Sequence, residues 1–127
     1  MRDMEQYDPN HAPDPTVWLE LDEVVRIDLV RTFHTDADVE IPAEGAHTNI
    51  HVVVENQVAL GEEPVPATLE RLMRQGLDRH EAIHAVGAVL LEDINDLVNA
   101  KQDAFDLHRY RNRLNKLTAK RWRKGKY

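Results

Sequence analysis

The chain has 127 residues, 42% of them hydrophobic and 31% charged, with a net charge of −7 and no cysteine. That size and balance describe one globular domain able to bury a real core, not a disordered segment. The lack of cysteine excludes disulfide scaffolds, cysteine zinc fingers, iron–sulfur clusters and thiol catalysis.

Met1 to Ala12 is polar, with Pro9 and Pro13 close by, and reads as an arm or loop. It has no signal-peptide core, and no apolar run in the chain approaches the roughly 18–20 residues of a membrane span. A soluble cytoplasmic protein without a membrane partner is the expectation. Asp14-Pro15 predicts a helix start, with Asp as N-cap and Pro at the first helical position. Val17, Leu21, Val24, Val25 and Leu29 then recur at helical spacing, and Glu20, Asp22, Glu23, Arg26 and Asp28 fill the wet face. This first helix is predicted to run to about Phe33 or His34. Thr35 to Gly45, with Pro42, reads as a loop.

A second helix is predicted from about Ala46 to a C-cap at Gly61. Its β-branched run Val52-Val53-Val54 suits a strand as well. The length of the segment, its period-four polar pairs and the lack of a hairpin partner favour helix. A turn from Glu62 to Pro66 leads to a short helix over Ala67 to Gln75, with Leu69, Leu72 and Met73 inward and Gly76 ending it. Asp78, followed by Glu81, forms a capping pattern for a fourth helix carrying Ile83, Val86, Leu90, Ile94 and Leu97 to about Asn99. A last helix is predicted after Gln102 or Asp103, with a stripe of Leu107, Tyr110, Leu114 and Leu117. The sum is an all-α, single-domain bundle of four to five helices. Residues 1–13 form a polar arm, 14–108 the bundle, and 109–127 a basic helix end and tail.

Charge is divided unevenly. Arg109 to Tyr127 holds nine Lys/Arg and no acid, so the first 108 residues carry −16. Such a tail can bind nucleic acid. It can also be a solvated helix end favoured by the helix dipole, or it can pair with the acidic body within one chain or across a homodimer. The acidic body would repel phosphate, and no nucleic-acid-recognition motif accompanies the tail, which favours the last two accounts.

The chain has seven histidines. Four form two pairs at one spacing, His47 with His51 and His80 with His84. On a helix, residues four apart share a face. Two imidazoles so placed can grip one ion, and a matching pair on a second helix can close a four-nitrogen site. Glu55 lies one turn beyond His51, as an extra ligand or an outer anchor. Ala82, Ala85, Gly87 and Ala88 around His84 would let the two helices approach closely. All-nitrogen ligation with carboxylates nearby suits zinc first, with iron, nickel or manganese as alternatives. His80-Glu81-Ala82-Ile83-His84 also fits the zincin pattern His-Glu-x-x-His, in which Glu81 would be the catalytic base and Glu92 a third ligand. That pattern is short, and no substrate-binding strand accompanies it. The competing account is a buried polar network, with histidines bonded to Glu55, Asn56, Gln57 or Glu81 and Arg79 pairing a carboxylate. His34 reads as a cation at a helix C-terminus or as an extra ligand. His11 and His108 read as solvated.

The blocks His47-x-x-x-His51-x-x-x-Glu55 and Arg79-His80-x-x-x-His84 carry a resemblance. Over about Pro15 to Leu91 the chain resembles an uncharacterised bacterial family of small all-helical proteins, known as a domain of unknown function. The resemblance implies a helical fold and a shared site built from His47, His51, Glu55, Arg79, His80 and His84. It implies no activity. Small residues also stand at the Glu81 position in that pattern, which counts against the zincin chemistry. Three functions follow as expectations: a metal-binding helical protein, a metallohydrolase using Glu81, or an interaction protein acting through its C-terminal helix.

Overall fold

The computed structural model describes residues 4, 6–36, 44–99 and 104–125. They form helices α1 (Pro15–Glu20), α2 (Glu23–Asp36), α3 (Glu44–Ala59), α4 (Val65–Arg74), α5 (Arg79–Asn99), α6 (Leu107–Lys116) and α7 (Ala119–Arg123), with no strand among the described residues. The chain is all-α, as its periodicity requires. Seven helices appear in place of five because the first and last predicted helices are each broken once.

The first break falls at Leu21-Asp22. Asp14 caps α1 through the Thr16 and Val17 amides at 2.9 and 3.1 Å. At its far end, Arg26 reaches back and donates to the Leu19 and Leu21 carbonyls at 2.9 and 3.1 Å. Arg26 is therefore half-buried and does not belong to the wet face. The break also shifts the helical phase, so Val24 (77% exposed) and Val25 are exposed, whereas Val30 and His34 are buried. The second break falls at Leu117-Thr118, where Leu117 turns extended and Thr118 caps α7. Leu107 and Met73, both expected inward, are exposed. Part of the predicted 35–45 loop is helical, since α2 continues to Asp36 and α3 begins at Glu44. The remainder of that loop lies outside the described residues, and the last helix begins later than predicted, at Leu107, because Asp106 caps it through the Arg109 amide.

The main core lies among α3, α4, α5 and α6, where Val54, Leu69, Leu72, Ile83, Val86, Tyr110 and Leu114 pack together. A smaller cluster joins the N-terminal segment to α1, α2 and α3 through Tyr7, Trp18, Val30 and Val52. The β-branched run on α3 is helical because Val52 and Val54 each enter one of these clusters. Helices α3 and α5 are neighbours at close range. A Cβ built on Gly87 would lie 2.7 Å from Ile50 Cγ2, so only glycine fits there without a shift. That contact draws together the two helices that carry the histidine pairs.

The basic segment is docked on the body. Arg109 and Arg113 of α6 form ion pairs with Asp93 and Asp96 of α5. Arg71 of α4 donates to the Leu114 and Leu117 carbonyls, and Trp122 donates to the Glu81 carboxylate at 2.6 Å. Lys116, Lys120, Arg121, Arg123 and Lys124 are exposed. Among the described residues no helix is long and apolar enough to cross a membrane.

Candidate metal centre

Five imidazoles meet where α2, α3 and the start of α5 converge. His34 comes from α2, His47 and His51 from α3, and His80 and His84 from α5. The start of α5 is set by the side chains of two residues before it. Asp78 accepts from the Glu81 amide at 2.7 Å, and Asn10 of the N-terminal segment accepts from the His80 amide at 3.0 Å. Each pair shares a helix face, with ring centroids 4.2 Å apart for His80 and His84 and 6.1 Å for His47 and His51. His34 sits between the pairs, 5.2 Å from His51 and 5.3 Å from His80.

One ring nitrogen from each of His34, His51, His80 and His84 lies within 4.8 Å of every other. These four could hold one metal ion. The nitrogens His34 Nε2, His47 Nε2, His51 Nδ1, His80 Nε2 and His84 Nε2 are all buried without a hydrogen-bond partner among the described residues. A buried polar atom left unpaired is disfavoured by about 1–3 kcal/mol, and native folds keep few of them. Five in one place are an uncommon concentration of unpaired polar atoms.

The surroundings fix which nitrogen of His51 and His34 is bare. Tyr7 has one hydroxyl proton, which it donates to Glu55 Oε2. Its oxygen also lies 2.7 Å from His51 Nε2. The oxygen must therefore accept from Nε2–H, which leaves the lone pair of His51 on Nδ1. His34 Nδ1 lies 2.8 Å from the Val30 carbonyl, an acceptor only, so Nδ1 carries the proton and Nε2 is bare. Metal-binding histidines are held in this way, with the outer N–H given to a carbonyl or to a carboxylate-anchored group.

Glu55 is the base of that anchor. Its carboxylate takes a two-point bond from Arg79, 2.8 Å from Nη1 to Oε2 and 2.7 Å from Nη2 to Oε1. Arg79 Nη1 also donates to the Pro9 carbonyl at 2.9 Å. The chain Arg79–Glu55–Tyr7–His51 is buried throughout. Burial and the Glu55 carboxylate push the Tyr7 phenol far above its ordinary range, so it stays protonated. Burial would lower the Arg79 pKa, but its bond to Glu55 outweighs that and raises it.

Of the residues singled out from sequence, His51, His80 and His84 belong to the group of four, and His34 completes it. His47 faces the cluster from outside this group. Glu55 is engaged with Arg79 and Tyr7. Glu81 is exposed and bonded to Trp122. Among the described residues the alternative polar network is present as the Glu55–Arg79 pair, which His51 joins through Tyr7. Asn56 accepts from Trp18 and Arg26, and Gln57 accepts from Tyr110, so neither satisfies a histidine. His11 and His108 are exposed. Sequence reasoning missed Tyr7, and nothing in its spacing marks it, since it stands 44 residues before His51.

Two consequences are measurable. Burial, then the neighbouring imidazoles, lowers His51 to about 2 and His84 to about 3. Both lie below the unfolded value of about 6.5. The folded metal-free protein therefore holds fewer protons than the unfolded chain at pH between these values. Its stability is full above about 6.5 and falls as pH drops, by about 1.4 kcal/mol per pH unit for each such histidine. Urea midpoints from pH 7.5 to 4.5 are expected to show that decline and to lose most of it in His51→Leu, His84→Leu. An equal slope in both proteins would contradict it. Tyr7→Phe keeps the ring but removes the acceptor of His51 Nε2–H. It is expected to weaken zinc binding by about 10–100-fold, read by competition with a chromophoric chelator. An unchanged affinity would show that Tyr7 does not orient His51.

Comparison with family models, with curated proteins and with solved structures finds no match to this chain. The geometry of the histidine cluster therefore carries the functional argument.

Proposed function

We propose that this chain is a metal-binding protein that holds one divalent transition-metal ion through His34, His51, His80 and His84. The observation that carries the reading is the convergence of four imidazole nitrogens within 4.8 Å of one another, at a place where buried ring nitrogens lack partners. Four neutral nitrogen donors suit a borderline-soft ion, with zinc first and iron, nickel or manganese behind it. Glu55 and Arg79 serve as the outer anchor, acting on the ion through Tyr7 and His51. An ion in this position would tie α2, α3 and α5 together, so binding would add to folding stability.

The experiment is metal content by mass spectrometry on protein purified without a histidine tag, beside His51→Ala, His84→Ala. About one equivalent of metal, before or after reconstitution, lost in the variant, is the expected result. Native protein that takes up no metal after reconstitution would overturn the proposal.

A further inference from the structure

We infer that His47 is a fifth, exchangeable ligand of the ion held by the other four histidines, and that its position is the one open to a small external donor such as water or an anion. The inference rests on the metal-binding reading above and specifies the kind of centre. Five histidines have a buried ring nitrogen without a partner, and His47 Nε2 is one of them. Its ring centroid lies 4.7 Å from His84 and 4.9 Å from His34, so it faces the cluster. It nevertheless stands outside the group whose nitrogens lie within 4.8 Å of one another. A closed tetrahedral ion would satisfy the inner four and leave His47 Nε2 buried and bare. Two ions would share far too few donors. Five nitrogens fit one ion with four standing ligands and one contested position.

Two of the rings have supports of their own. His51 is held through Tyr7 and Glu55, and His34 through the Val30 carbonyl. No hydrogen bond to the rings of His47, His80 or His84 is present among the described residues, and of these three half-buried histidines His47 alone stands outside the inner group, near the start of α3. It can leave the ion without breaking a hydrogen bond among the described residues. Its departure would convert a site that only stores an ion into one that binds a further ligand. Zinc in open sites can expand from four ligands to five.

The test uses the full chain loaded with cobalt(II), whose visible bands report coordination number, with azide as the external donor. Native protein is expected to bind about one equivalent of cobalt and to shift its bands saturably with azide. His47→Ala and His47→Gln should keep the cobalt and show altered bands before azide is added. They should also bind azide about tenfold more tightly, because an internal competitor is gone. Bands and azide response identical in native and variant proteins, with cobalt retained, would overturn the inference and leave the four-histidine site standing. Loss of cobalt from both variants would overturn it too, since His47 would then be a standing ligand. Failure of native protein to take up cobalt would sink the metal-binding reading and this inference with it.

Discussion

Replacing His80 and His84 together by leucine is expected to weaken metal binding by about four powers of ten while leaving the metal-free protein at least as stable as the native one. Four ligands that share a binding free energy of about 10–16 kcal/mol each carry about 3 kcal/mol. Removing two costs about four powers of ten in affinity. The stability of the metal-free protein moves the other way. His80 Nε2 and His84 Nε2 are buried without partners, and each is disfavoured by about 1–3 kcal/mol. Leucine fills a similar volume with no polar atom to satisfy. A residue pair that weakens the empty fold yet is required for the ligand is the mark of a functional site. Zinc affinity by chelator competition, and urea midpoints of the metal-free proteins, measure the two halves. A metal-free variant several kcal/mol less stable than native would mean that these histidines are ordinary packing residues.

The other large effect is expected at Arg79→Ala. Glu55 is 1% exposed and its partner Arg79 7%. Removing the guanidinium strands a carboxylate in the interior, which costs about 3–5 kcal/mol where a buried pair is broken from one side. Arg79→Leu with Glu55→Leu removes both charges and should cost far less than the two single changes added together. Urea unfolding of the four proteins of the cycle measures the coupling. Additive single effects would show that the pair is not a unit. Each of these variants also removes or disturbs the acceptor of the Tyr7 proton, so the orientation of His51 is expected to suffer alongside stability. Metal affinity should therefore fall in the double-leucine protein even where its stability is recovered.

Local rules carried much of the fold. Asp14-Pro15, Gly61, Gly76 and Asp78 punctuate the chain where helices begin and end, because capping depends on a few neighbouring atoms. Two helix breaks escaped this reasoning. At Leu21 the interrupting contacts come from Arg26, whose side chain also reaches Asn56 of α3. At Leu117 the helix end is held by Arg71 of α4. Arg71 is brought to Leu117 only by the folded chain, and Arg26, though five residues from Leu21, is engaged by the distant Asn56, while periodicity runs through both breaks. The exposure of Val24 and Val25 follows from the first break, since a helix restarted at a new phase turns a different face inward.

The paired histidines were legible for the same reason that amphipathic helices are: a spacing of four is one helical turn, whatever the rest of the chain does. The sequence by itself therefore determined two histidine pairs, each on one helix face, and Gly87 with its small neighbours as the place where their helices could meet. Tertiary structure alone decided which nitrogens converge. It brought His34 in from α2, left His47 outside the inner four, and, of the two readings of Glu55 as ligand or outer anchor, engaged it with Tyr7 and Arg79. Local spacing obeys the geometry of one helix, whereas a coordination shell is set by the distances between helices, and those depend on the packing of every side chain that separates them.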